Sequence, residues 1–143
     1  ATKDGGLFIN GQRLEPAESV AEEQPITMFS DRSLQNHRSF EQLRSQFDIH
    51  FIGGAVVNVL NVINTPRSCY WKQPKKSLGG CAIWDLAAVS LMLQEVNGMV
   101  QCYDGSRLPL NRAESLYFND VGFVMTSSDL SYKELIALLN SLL

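Results

Sequence analysis

The run from Gly79 to Gly98 constrains the fold more than any other stretch of the chain. Two glycines, Gly79 and Gly80, precede Ile83, Trp84, Leu86, Ala87, Ala88, Val89, Leu91, Met92, Leu93 and Val96, which cover almost every direction of a helical wheel. A helix that is apolar nearly all round is buried, so the sequence predicts a core helix here. Asn97-Gly98 supplies its stop, because both residues tolerate left-handed backbone. Asp85 then falls in the first turn or two, where the helix dipole favours its charge. A carboxylate in that place is either a cap or a ligand, and spacing alone favours the cap.

A chain of 143 residues with 45% hydrophobic content is the size of one domain and can bury a real core. The net charge of −3 gives no global basic footprint for nucleic acid. No apolar run approaches the roughly 20 residues needed to span a bilayer, so no membrane role is expected. The start, Ala1 to Gly6, is not a signal peptide and lacks a methionine, which suits a chain that begins inside a longer protein. Cys69, Cys81 and Cys102 lack metal-type spacing, and an odd number without a pairing pattern suits a reducing cytoplasm.

In chain order, Leu7 to Leu14 reads as a hairpin turned by Asn10-Gly11. Residues 15–24 are an acidic connection. Ile26 to Phe29 is a strand, and Ser30 to Ser33 opens a helix over about 34–46 with Phe40, Leu43 and Phe47 on one face. Asp48 to Ile52 is a strand. Gly53-Gly54 and a helix from Ala55 to about Asn64 follow, with Val56, Val59, Leu60 and Ile63 inward. Strand, two small residues, then helix leaves backbone N–H groups free to hold a phosphate or hydroxyl, although a glycine pair also simply permits a tight turn. Arg67 to Lys72 is a strand, placed centrally. The loop after it is basic, with Lys72, Lys75 and Lys76, and reads either as solvated or as part of a site. Met99 to Tyr103 and Gly122 to Thr126 are strands. Ser131-Tyr132-Lys133-Glu134 is a capping box that starts a terminal helix with Leu135, Leu138, Leu139 and Leu142 inward. His37 and His50 read as surface or packing residues. Strands alternating with helices give an α/β layered domain.

Trp84-Asp85-Leu86-Ala87-Ala88 followed by Glu95-Val96-Asn97-Gly98 resembles the tryptophan-aspartate metal motif of the inositol monophosphatase family. Gly5 to Gly11 resembles its aromatic and Asn-Gly hairpin, Ile52 to Asn58 its substrate-touching glycine segment, and Val100 to Leu110 the strand and Asp-Gly turn after the motif. The resemblance implies the C-terminal half of a layered α-β-α-β-α fold. Residues 1–24 would be hairpin and connection belonging to a preceding N-terminal half, and 25–143 the C-terminal α/β domain. Val89 and Asn97 stand where the family usually has glycines. The family's remaining metal ligands, a glutamate and an Asp-x-x-Asp-Gly segment, lie upstream of the hairpin, and no Asp-x-x-Asp-Gly occurs here.

The resemblance therefore implies half of a magnesium-dependent phosphate monoesterase, inactive without its other half. It implies Asp85 as the one metal ligand for Mg2+ in the chain, and Gly53, Gly54, Ala55 and Lys72 as substrate-binding residues. No catalytic residue is expected in the chain itself, because the nucleophile would be a metal-bound water activated elsewhere. The expected partners are a small phosphorylated substrate and the N-terminal half, covalent or separate; a homodimer is compatible. Inositol monophosphatases usually have an acidic residue near the position of Lys72. A lysine cannot accept that hydrogen bond but can bind a second anionic group. Together with Ile83-Trp84-Asp85 and the segment from Glu114 to Phe123, this resembles the bisphosphate nucleotidase branch. The alternative is a non-catalytic α/β binding or scaffolding module derived from the family.

Overall fold

The computed structural model describes residues 1–21 and 23–143. The acidic connection over 15–24 therefore includes one residue, Glu22, that lies outside the described residues. Strands β1 (Leu7–Ile9) and β2 (Gln12–Leu14) form the expected antiparallel hairpin. Asn10 (φ 52°) and Gly11 (φ 80°) both take left-handed backbone, as a two-residue Asn-Gly turn requires. The Glu95 carboxylate anchors this hairpin by accepting the N–H groups of Asp4 at 2.8 Å and Gly6 at 2.7 Å.

The main sheet comprises β3 (Ile26–Ser30), β4 (Phe47–Phe51), β5 (Ser68–Lys72), β6 (Met99–Gln101) and β7 (Phe123–Thr126), in the order β4-β3-β5-β7-β6. Strands β3, β4 and β5 are parallel, and β7 runs antiparallel to both its neighbours. The connecting helices are α1 (Phe40–Gln46), α2 (Ala55–Asn64), α3 (Ile83–Gln94) and α4 (Tyr132–Leu142). Side chains alternate across each strand, so the sheet feeds two cores. On one face Phe29, Tyr70, Phe123 and Met125 meet Val59, Val62 and Ile63 of α2 and Leu86, Val89 and Leu93 of α3, with Leu7 of the hairpin in the same cluster. On the other, Met28, Cys69, Trp71 and Val124 meet Leu43 of α1 and Leu135 and Leu139 of α4. Burying Leu86 and Leu93 completely contributes about 2 kcal/mol each.

After β3 the chain moves to one side of the sheet, to β4. It then returns across β3 to β5 and continues away in the opposite direction. The carboxyl ends of β3 and β5 therefore flank a topological switch point, where open α/β sheets bind ligands.

Several expectations need correction. The helix over 34–46 is two pieces: a 3₁₀ turn at Arg32–Asn36, then α1. His37 Nδ1 accepts the Ser39 N–H at 3.2 Å and holds the break between them, and Phe47 opens β4 instead of joining the helix face. In α2 the inward stripe is Ala55, Asn58, Val59, Val62 and Ile63, whereas Val56 and Leu60 are exposed. The helix is apolar on several faces, so periodicity alone did not single out the buried one. Trp84 is 63% exposed despite its place in the core helix. It stands at the helix start, edge-on to Tyr117. The strand from Met99 stops at Gln101 because Cys102 already closes a turn, accepting the Gly105 N–H at 3.0 Å. Ser131 caps α4 as expected, accepting the Glu134 N–H at 3.2 Å, but the Glu134 carboxylate turns to Arg67 at 2.7 Å.

The stop after α3 is as read. Asn97 has φ 62°, and Gly98 donates to the Leu93 carbonyl at 2.9 Å. Gly98 is required by contact: a Cβ there would fall 2.4 Å from Leu93 Cδ1 and 2.8 Å from the Thr126 carbonyl oxygen.

Candidate functional site

At the switch point lies a pocket of about 380 Å³. Strand β3 ends into it with Asp31, β5 ends into it with Lys72, and the starts of α2 and α3 supply Gly54, Ala55 and Asp85. Three elements that are distant in sequence thus bring four of the five expected residues together. The fifth, Gly53, lines an adjoining pocket that shares Asp31 and Gly54.

Lys72 does not point freely into the pocket. Its ammonium is paired with the Asp31 carboxylate, and both side chains are about two-thirds covered. Asp31 also accepts the Ser33 N–H at 2.9 Å and its hydroxyl. Burial pushes the Asp31 carboxyl up, but the hydrogen bonds from Lys72 and Ser33 outweigh it and hold the group below its usual range. Lys72 Nζ also lies 5.9 Å from the centre of the Tyr70 ring, within cation–π range.

Asp85 acts as the cap that its spacing favours: its Oδ2 accepts the Ala82 N–H at 2.9 Å, and it lines the pocket as well. The start of α3 is fixed from outside by residues 116–119. Phe118 N–H donates to the Cys81 carbonyl at 3.0 Å, and Ile83 N–H to the Leu116 carbonyl at 2.9 Å. The same segment holds the basic loop, since Lys75 and Asn119 exchange hydrogen bonds. Lys75 lines the pocket, with its ammonium near Gly80, whereas Lys76 is exposed outside it.

The start of α2 has no side-chain cap, so its first N–H groups stay available. Asn58, fully buried, shapes this junction by donating Nδ2 to the Gly53 carbonyl at 3.0 Å. On the floor, the Tyr70 hydroxyl and Cys81 sulfur are 3.3 Å apart. Burial raises the pKa of both, so they stay protonated. Cys81 is half-buried at the pocket wall. His37 contacts Gln73 at 3.1 Å and His50 contacts Asp48 at 2.9 Å, and neither lines the pocket.

Sequence reasoning missed Asp31, Tyr70 and Asn58. In the sequence Asp31 reads only as part of a helix opening. Its place directly after a short apolar strand was the available signal, because residues following parallel strands face the switch point. Tyr70 and Asn58 carried no signal apart from their elements.

Among the described residues no three of His, Cys, Asp and Glu gather to hold a metal ion. Asp85 has one oxygen engaged by Ala82, Asp31 faces an ammonium, and Cys81 is a protonated thiol. Magnesium takes six oxygens in near-octahedral geometry, so these residues do not fit it by themselves; Asp85 offers one remaining carboxylate oxygen. What the pocket can do unaided is receive an anion, through two lysines and the N–H groups opening α2.

The sequence matches the inositol monophosphatase family over residues 1–142. None of the curated proteins compared matches it. Inositol monophosphatase-II from Staphylococcus aureus MSSA476 is similar in structure, with a TM-score of 0.70 at 16% identity over 100% of this chain and 49% of that one. Inositol monophosphatase from Anabaena (Nostoc) sp. PCC 7120 gives a TM-score of 0.67 at 16% identity, covering 97% and 53%. A dual-specific inositol monophosphatase/NADP phosphatase bound with D-inositol-1-phosphate gives 0.68 at 16%, covering 96% and 48%. At such identities the likeness establishes the α/β fold. The chain spans about half the length of the solved structures it matches.

Proposed function

The chain belongs to the inositol monophosphatase family, and from that premise we propose that it is the C-terminal half of a magnesium-dependent phosphate monoesterase. The observation that carries this reading is the convergence of Asp85, Lys72, Gly54 and Ala55 on one pocket at the switch point. Asp85 would give one oxygen to Mg2+, and carboxylates from an N-terminal half, covalent or separate, would give the others. Magnesium held by Asp85 together with those carboxylates would supply the phosphate grip and the lowered water pKa that hydrolysis needs. This chain's own residues hold the ligand: the N–H groups at Gly54 and Ala55 face its anionic oxygens, Lys72 and Lys75 add positive charge, and Asn58 keeps the Gly53-Gly54 junction in place.

The substrate we assign carries more than one anionic group, as in a 3'(2'),5'-bisphosphate nucleotide, with inositol phosphate as the simpler ligand. Support comes from Lys72 at the end of β5, near the position where the resemblance implies that inositol monophosphatases usually have an acidic side chain. Residues 1–24, hairpin and connection, would belong with that N-terminal half. A cytoplasmic setting accords with three free cysteines, and no helix among the described residues is long and apolar enough to cross a membrane.

The test is to co-express the chain with an N-terminal half that bears the glutamate and Asp-x-x-Asp-Gly ligands. Phosphate release is then measured, with magnesium, from adenosine 3',5'-bisphosphate and inositol 1-phosphate. Turnover that needs both halves is expected. A stable, folded complex that hydrolyses neither would favour the non-catalytic binding module.

A further inference from the structure

Among the described residues the charged side chains lining the pocket are Asp31, Lys72, Lys75 and Asp85, two of each sign, so they balance before any ligand arrives. Lys72 is not spare. It is held by Asp31, whose carboxylate is itself aimed by the Ser33 backbone N–H and hydroxyl. Both partners are largely covered, where an ion pair is screened less than at the surface.

We infer that Asp31 is an internal competitor for the anion: it neutralises Lys72 in the free pocket, and a ligand anion engages Lys72 only in competition with the Asp31 carboxylate. This deepens the reading of the pocket as a phosphate site and rests on it. A ligand carboxylate exchanging for Asp31 merely replaces one carboxylate–ammonium pair by another. A phosphate dianion brings more charge and more acceptor oxygens, which Lys75 and the N–H groups of Gly54 and Ala55 can take up together. Asp31 would thus set a threshold that favours phosphate groups over weaker anions and makes it a specificity-determining residue. It touches the lysine, and no step of bond making passes through it.

The test is binding of inorganic phosphate to the 143-residue chain, read from amide shifts of Gly54, Ala55 and Lys72, in wild type, Asp31→Asn, Lys72→Ala and the double variant. Asparagine keeps an oxygen for the Ser33 N–H, and circular dichroism verifies the fold. Removing the competitor is expected to tighten phosphate binding by about tenfold, the value of one charge-assisted contact. In the Lys72→Ala background the same substitution is expected to change affinity by less than about twofold, because the two residues act as a pair. Equal affinity of wild type and Asp31→Asn would overturn the inference while leaving the phosphate site intact. An equal gain in both backgrounds would also overturn it, leaving only a general effect of net charge. No binding by any of the four would remove the phosphate-site reading, and the inference with it.

Discussion

Asp85 serves two readings at once, and a pair of substitutions separates them. Asp85→Ala removes the acceptor of the Ala82 N–H and the charge at the start of α3. The lost cap costs about 1 kcal/mol and the lost dipole interaction about 0.5 kcal/mol. For a domain of this size that total of about 1.5 kcal/mol lowers Tm by about 5 °C. Asp85→Asn keeps an acceptor for Ala82 and loses only the charge, so its Tm falls by about 1–2 °C. If Asp85 is only a cap, activity of the completed enzyme follows this order, and Asp85→Asn stays close to wild type. If its free oxygen holds magnesium, both variants lose the ligand equally. A metal contact contributing several kcal/mol to the transition state corresponds to a loss of about a thousandfold in either variant. The assay pairs thermal unfolding with phosphate release across a magnesium titration, using the two halves together. The reasoning fails if Asp85→Asn retains near-normal turnover, or if it unfolds while the magnesium dependence is unchanged.

Four further outcomes are expected. The 143-residue chain alone, assayed with magnesium and several phosphate monoesters, should show near-background turnover; robust hydrolysis would mean that the ligands lie elsewhere than proposed. In the completed enzyme Lys72→Ala should raise KM for a bisphosphate by about tenfold and barely change it for a monophosphate; equal small effects on both would sink the bisphosphate assignment. Gly122 has φ 59°, and a Cβ there would meet the Lys72 carbonyl oxygen at 2.4 Å, so Gly122→Ala should cost about 2–3 kcal/mol in urea unfolding and weaken phosphate binding by shifting the end of β5. The Asp31 carboxyl is held below its ordinary value of 3.8, so its contribution to stability is present above that value and lost as the pH falls through the lower folded one. Asp31→Asn should therefore show a shallower acid limb in urea unfolding.

The hairpin, the strand–helix alternation and the helix after Gly79-Gly80 were legible because each rests on local chemistry: an Asn-Gly turn, a period of 2 or 3.6, and an Asn-Gly stop. The central place expected of β5 is the one it takes. Facing was less so. In α2 the apolar residues outnumber the buried stripe, and the polar Asn58 is buried because it bonds the Gly53 carbonyl, which no periodicity encodes. Trp84 reads as core by hydropathy and is exposed because Ile83 and Leu86 take the core-facing positions of the first turn. In the site, Lys72 and Asp85 were visible as residues but not as partners. The Lys72–Asp31 pair spans 41 positions and exists only because β3 and β5 lie side by side.

The three cysteines carry a practical consequence. Cys69 and Cys102 are buried and Cys81 is half-buried against Tyr70, and burial raises the pKa of all three thiols. Thiolate, not thiol, reacts with alkylating probes, so each native sulfur is slow toward them at neutral pH. A cysteine placed deliberately on an exposed site, such as Lys76 in the basic loop, would therefore outpace them. One fluorophore could then report the approach of a second polypeptide to the mouth of the pocket, without any native cysteine having to be removed.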